Sequence, residues 1–385
     1  VTADLVAQLR GLEETTRALE GDPASGEELA RLRRRALGVQ REIRARAWEI
    51  EGEQGRLEAP PRAGRLGRAA AEADAVFVSF ARHEGRWIAV VADGRRSRLA
   101  RLGAVADVRG LVTRVRGDLD ALASPAVPEV MRSAVRRSLD VGLQALDTAV
   151  LGPLGLAGRS LVVSCSADLL FLPWGLLPSR SRAPTTVTPS AAAWLRGHGR
   201  ERPERPSVAV VAGPDLRLAQ EEVHQVAACW PGSTVLSGPA ATSRATCEAL
   251  VSHDLVHVSA HGRHRADSPL FSSVRLTDGP LYAHEVSPET GLAGCVVLSA
   301  CDAGLATTRP GEEILGLAQV LLQLGARNVV AAVARVNDEV SAGFMTRLQG
   351  MLSEGFDVST ALAVATHETL DGASPAAFVS YGASW

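Results

Sequence analysis

Three short apolar runs between residues 254 and 338 limit what this chain can become. Leu255-Val-His-Val-Ser259 leads into Ala260-His261-Gly262, and Cys295-Val-Val-Leu-Ser299 leads into Ala300-Cys301-Asp302. Asn328-Val-Val-Ala-Ala-Val333 runs on to Asn337 and Asp338. Continuous β-branched runs of this length suit strands covered on both faces, the condition of a parallel sheet between helices. Each run ends at polar residues, just past the carboxyl end of a strand, where open α/β sheets place their ligands and catalytic groups.

The residue types there suggest thiol chemistry. A thiol becomes a nucleophile as thiolate, or when a base removes its proton during attack, and His is the side chain suited to that near neutral pH. His261 follows one strand, and Cys301 follows another 40 positions later (261 to 301). A strand, a connection and a second strand fit in that interval, so the two side chains could face each other across one sheet edge. Gly262 admits a carbonyl close to the backbone, and its N–H with that of Cys301 could stabilise an oxyanion.

Many further motifs stand in order around this pair. They are Ala260-His261-Gly262, Ser268-Pro-Leu270, Leu276 with Asp278-Gly279 and Leu281, Leu298-Ser-Ala-Cys301, Gly311-Glu-Glu-Ile-Leu-Gly-Leu317, Gly325-Ala326, and Val336 with Asp338. Upstream lie Leu161-Val-Val163, Phe171-Leu-Pro-Trp-Gly-Leu-Leu-Pro178 and Pro189-Ser190. Together they resemble the CHAT domain, a bacterial branch of the caspase and separase clan of cysteine peptidases, over roughly residues 75–385. Two positions depart from the family pattern: Asp302 stands where Glu is frequent, and Ala334 where Trp is usual before the Val-x-Asp element.

The resemblance implies a caspase-like α/β fold, a mainly parallel sheet flanked by helices. It implies a non-catalytic pseudo-copy at 75–200 and a catalytic half at 201–385. It makes His261 and Cys301 the dyad, Gly262 and Cys301 the oxyanion donors, and Asp338, with Asp302, the acids that select Arg (or Lys) at P1. Capping of the following helix by Asp338 is an equal alternative. The implied function is a cysteine endopeptidase acting on a protein substrate in a bacterial signalling or defence pathway. Its activity would be restrained until a sensor or activator protein engages, through a helical repeat region or a partner chain. This chemistry calls for no metal and no organic cofactor. The alternative is a latent or silent CHAT module that serves as a scaffold for partners. A thiol hydrolase or transferase of small molecules ranks last, because no cofactor motif is present.

Residues 1–60 are expected to form a helical hairpin, with helices at 2–20 and about 27–57 around Gly21–Gly26. It could be the end of a repeat array, although no repeat signature is visible. Residues 61–74 read as a linker. Val76–Phe80 and Arg86–Val91 alternate like paired strands, and helical segments follow at about 105–123 and 128–150. Residues 304–312 are expected to form a loop that partly controls access to Cys301.

Composition serves mainly to exclude. A hydrophobic content of 46% supports a full core, and a net charge of −2 gives no reason to expect nucleic acid or an anionic membrane as direct partner. All 41 basic residues are Arg, which removes lysine nucleophiles from consideration. Five Cys without paired spacing suit a reducing compartment. No signal-peptide pattern and no membrane-length apolar run is seen, so a cytoplasmic protein is expected. The first residue is Val rather than Met, and the chain is read as a piece of a longer protein. His253, His257, His261 and His264 would share a zinc-binding face only on a helix. The strand character of Leu255–Val258 argues against that and makes His257 a sheet histidine. Gly152–Gly158 is glycine-rich, but no Gly-Lys-Ser/Thr follows it, so a phosphate-binding loop is not indicated.

Overall fold

The computed structural model describes residues 2–19, 27–32, 34–36, 38–39, 42, 61, 63–94, 96–263, 272–282, 285–286, 292–299, 312–370, 372 and 374–385. Several expectations fall outside these residues: those for Cys301 and Asp302, the access loop expected at 304–312 except for Glu312, which begins a helix, His264, the Gly21–Gly26 turn, and most of the second N-terminal helix.

The chain forms two compact units. In the first, α1 covers Thr2–Leu19, and residues 27–32 are also helical. Residues 61–74, expected as a linker, instead contain α2 (Ala63–Glu72), with Ala69 and Ala70 buried. Its run of Ala and Arg has high helix propensity, and the Pro and Gly residues that suggested a linker lie at its start.

One eleven-stranded sheet organises the second unit. Its early strands are β1 (Ala75–His83), β2 (Arg86–Asp93), β3 (Arg96–Ala104), β4 (Ser160–Ser164) and β5 (Thr185–Thr188). Its later strands are β6 (Val208–Ala212), β7 (Thr234–Leu236), β8 (Leu255–Ser259), β12 (Cys295–Ser299), β13 (Asn328–Ala332) and β14 (Phe378–Gly382). The spatial order is β3-β2-β1-β4-β5-β14-β13-β12-β8-β6-β7. A small second sheet holds β9 (Gly262–Arg263), β10 (Ser273–Leu276) and β11 (Gly279–Tyr282), with β9 at its edge.

Two parallel sets meet inside the large sheet. β1, β4, β5 and β14 run one way. β13, β12, β8, β6 and β7 run together the other way. They join where β14 lies antiparallel to β13. The last strand of the chain is therefore shared between the residues of 75–200 and those of 201–385. Every residue of β6, β8, β12, β13 and β14 is buried, as strands covered on both faces require. The cover comes from amphipathic helices. Among them are α3 (Val105–Ala123), α4 (Glu129–Val150), α5 (Ala191–Gly197), α6 (Ala219–Cys229), α7 (Ser243–Ser252), α8 (Glu312–Gln323), α9 (Asp338–Ser353) and α10 (Val358–Thr369).

Asn328 ties the antiparallel seam together. It is fully buried at the start of β13, and its Nδ2 donates to Ser380 Oγ and to the Ala383 carbonyl, each at 2.8 Å. Replacing Asn328 with Ala leaves that carbonyl without its donor, a loss of about 2 kcal/mol. The thermal unfolding midpoint of N328A should fall by several degrees, and an unchanged midpoint would show that the seam does not depend on this residue.

Candidate active site

His261 stands two residues past the end of β8, half-buried, and is fixed from two directions. Its carbonyl accepts the Arg275 N–H of β10 at 2.8 Å. Its Nε2 lies 3.2 Å from the backbone carbonyl of Asp215. The Asp215 carboxylate in turn pairs with the Arg275 guanidinium at 2.7 Å. A carbonyl can only accept, so Nε2 carries the imidazole proton and Nδ1 is left as the basic nitrogen.

Asp215 belongs to the turn after β6, Gly213-Pro214-Asp215, and has a left-handed backbone (φ 62°). That conformation is disfavoured for a side-chain-bearing residue but tolerated best by Asp and Asn. Gly213 lets the turn approach. Its N–H donates to the Ser259 carbonyl at 2.7 Å, and a Cβ there would sit 2.5 Å from Ala260 Cβ and 2.7 Å from the Arg275 carbonyl. Sequence reading missed the part played by Asp215, because it acts through a backbone carbonyl. The Gly-Pro-Asp turn at the end of a strand was the available signal.

Gly262 faces Val274 in the antiparallel pairing of β9 with β10, and the Arg275-to-His261 bond identifies the neighbouring pair as the hydrogen-bonded one. The two kinds of pair alternate along such a ladder, so the Gly262 N–H points away from β10. It does so on the edge strand of the small sheet.

β12 lies directly beside β8, parallel and in register, with Ser299 opposite Ser259. The strand ends are thus level. Cys301 and Asp302 themselves lie outside the described residues. On the other side of β12, β13 ends at Ala332, and the chain enters α9 at Asp338, on the same sheet edge. Helix α9 is capped by Asn337, whose Oδ1 accepts from the N–H groups of Glu339 (2.9 Å) and Val340 (3.4 Å). The capping alternative for Asp338 is thereby corrected, because the preceding Asn reaches those donors. Asp338 instead lines a small space with Leu216, Leu218, Glu222, Ser299 and Ser341. Its volume is about 10 Å³, room for about one water. Asp120 of α3 supports this loop from the other half, accepting the Arg335 N–H at 2.8 Å, and burial raises its carboxyl pKa.

A polar chain is buried behind the site. Trp230 Nε1 donates to Gln349 Oε1 (2.8 Å), Gln349 Nε2 meets His257 Nδ1 (3.3 Å), and His257 Nε2 meets Glu222 Oε1 (2.9 Å). Indole N–H is only a donor, which orients the amide and makes His257 Nδ1 an acceptor. Nε2 then holds the proton and donates to Glu222. Both nitrogens of His257 are satisfied inside the core. His253 lies at the surface, within hydrogen-bond distance of Ser252 and Thr234. Among the described residues, no three His, Cys, Asp or Glu side chains cluster as a metal site. Cys165, Cys229, Cys247 and Cys295 are thiols rather than halves of disulfides. Burial pushes Cys295 up to about 12 and raises Cys165 further, so neither is a thiolate near neutral pH.

The CHAT domain family model matches residues 141–383. This chain belongs to the CHAT domain family. The chain is also similar in fold to part of separase from Saccharomyces cerevisiae, solved in complex with securin. The TM-score is 0.62 at 12% identity, over 84% of this chain and 31% of the separase chain. A second structure of that complex gives a TM-score of 0.60 with the same coverage. The chain therefore spans under a third of separase. The complex of pro- and mature domains of RgpB from Porphyromonas gingivalis matches at a TM-score of 0.42 and 10% identity, over 72% of this chain and 75% of that one. No curated protein sequence matches this CHAT protein. Its fold is that of the caspase-like cysteine peptidases, as expected from the sequence. No described helix is long and apolar enough to cross a membrane.

The Gly213 contact yields a direct test. In G213A the new methyl group meets Ala260 and a backbone carbonyl, neither of which can move aside alone. Overpacking of this kind costs about 1–3 kcal/mol. A lower unfolding midpoint is expected, together with a shift of the His261 ring resonances in NMR spectra. Unchanged resonances would mean that the turn does not position the imidazole.

Proposed function

We propose that this CHAT protein is a cysteine endopeptidase that uses His261 and Cys301. The level ends of β8 and β12 carry the proposal: each candidate lies two residues beyond a strand end, on strands that are immediate neighbours. Adjacent strands lie about 4.8 Å apart, so side chains at equal height past their ends are within reach of each other.

In the proposed reaction, His261 Nδ1 takes the Cys301 thiol proton as Sγ attacks the scissile carbonyl carbon. The Gly262 N–H, turned out of its ladder, and the Cys301 N–H stabilise the oxyanion. The imidazolium returns its proton to the departing amine, leaving a thioester. Water, activated by the same nitrogen, hydrolyses that thioester and frees the thiol. The Asp215 carbonyl keeps the imidazole in the required tautomer throughout.

Asp338, with Asp302, is proposed to favour Arg (or Lys) at P1. Support comes from the place of Asp338 on the same sheet edge and from its freedom from capping. The space beside it holds about one water, so it has to widen for a P1 arginine to enter. The proposed substrate is a protein, since an extended polypeptide fits along a sheet edge. A sensor or activator protein that relieves latency, in a bacterial signalling or defence pathway of the cytoplasm, completes the reading.

Cleavage of a peptide library varied at P1 tests it. Cys301→Ala should lower kcat/KM at least about a thousandfold, as loss of a nucleophile does. Asp338→Asn should lower kcat/KM for Arg at P1 about tenfold or more, the worth of one charge-assisted hydrogen bond, and spare other residues. Cleavage that survives Cys301→Ala contradicts the mechanism, and preference for another P1 residue contradicts the pocket. Failure of an arginyl electrophile to label Cys301, with or without a bound activator, favours the scaffold reading.

A further inference from the structure

A larger cavity, of about 600 Å³, opens on the opposite edge of the main sheet from His261. The reversal at the β13–β14 seam brings the carboxyl ends of β4, β5 and β14 to that edge, beside the amino end of β13. Carboxyl ends of parallel strands are the usual ligand positions in open α/β sheets, and this volume lies within the range of small-molecule pockets. Residues 75–200 thus have a ligand-sized space at their own strand ends, although no catalytic pair is found there among the described residues.

The walls of the cavity are cationic. Arg196, Arg200 and Arg327 line it, and its described lining contains no Asp or Glu. Arg196 and Arg200 are exposed at the rim, while Arg327 is half-buried. The Nε of Arg327 is enclosed and has no hydrogen-bond partner among the described residues. Burial, and then the charge of Arg200, lower the Arg327 pKa. Two like-charged guanidinium groups lining one cavity, one with an enclosed donor that has no described partner, favour an anion there. Ser166 and Gln319 add neutral polar groups, and the rest of the wall is largely apolar. The Tyr381 ring is fixed there by its hydroxyl, which donates to the Leu170 carbonyl at 2.9 Å.

We infer that this cavity binds a small organic phosphate monoester. The dianionic phosphate lies between Arg200 and Arg327, and the organic body lies against Leu170, Leu322 and Tyr381. A phosphate fits better than a single carboxylate because it neutralises both cations and offers enough oxygens for two planar forks. The inference concerns a site separate from the proposed peptidase centre and does not depend on it.

Calorimetric titration of the whole chain tests it, with phenyl phosphate as the probe, and inorganic phosphate and phenol as comparators. Saturable binding of phenyl phosphate is expected, tighter than that of inorganic phosphate, with phenol not binding measurably. Arg200→Gln and Arg327→Gln should each weaken phenyl phosphate at least about tenfold. The ligand-free unfolding midpoint of Arg200→Gln should stay level or rise, because a repulsion is removed. That rim variant decides the matter if Arg327→Gln does not fold. Absence of saturable binding by both phosphates, or equal affinity in wild type and Arg200→Gln, overturns the inference. Inorganic phosphate binding as tightly as phenyl phosphate overturns the role given to the apolar wall.

Discussion

The in-register parallel pairing of β8 with β12 is the contact on which the candidate site depends. It sets the heights at which the chain leaves the sheet toward His261 and toward Cys301. A slip of one residue would turn every side chain of a strand to the other face. The buried His257 opposes such a slip. Its ring must meet both Glu222 and Gln349, and a shifted β8 would leave an imidazole and a carboxylate unpaired in the core. The polar chain that ends at Trp230 therefore acts as a register pin, four residues before the candidate base. The Gly213–Asp215 turn completes the arrangement from the next strand over, where only glycine allows the backbone so close.

The antiparallel seam between β13 and β14 has a second consequence. A sheet of uniform direction would gather all its strand ends on one side. Here the two sets of strands present their carboxyl ends on opposite edges. One edge holds His261, Gly262 and Asp338. The other holds an arginine-lined cavity made jointly by residues around 165–200, α8 and the ends of β13 and β14. One continuous core thus supports two separate candidate surfaces. α8, which the chain enters after the Cys301 segment, contributes Gln319 and Leu322 to the cavity wall.

The legible parts of the fold were those with local patterns. β8, β12 and β13 are continuous apolar runs, and α3 and α4 have clear helical spacing, so their expected limits lie within a residue or two of the observed ones. β5 was missed because Thr185-Thr-Val-Thr188 is buried yet mostly polar by composition. β14 was missed because a strand at the end of a chain has no flanking pattern, and its place in the sheet is decided by distant partners. At the candidate site, His261, Gly262 and Asp338 were singled out by the motifs they stand in. Asp215 was not, because a carbonyl has no residue-type signature. The cavity arginines were equally hidden, since Arg200 and Arg327 meet only after β14 has inserted between the two strand sets.

The central claim is that β8 and β12 deliver a base to a nucleophile. Its most direct test is the alkylation rate of each cysteine by iodoacetamide at neutral pH, resolved by mass spectrometry, in wild type and in His261→Gln. Burial keeps Cys165 and Cys295 protonated there, and these should react slowly in both proteins. Cys301 should react fastest in wild type and slow by at least about tenfold in His261→Gln, while the other thiols are unaffected. An equal Cys301 rate in the two proteins would show that His261 does not activate it and would contradict the account.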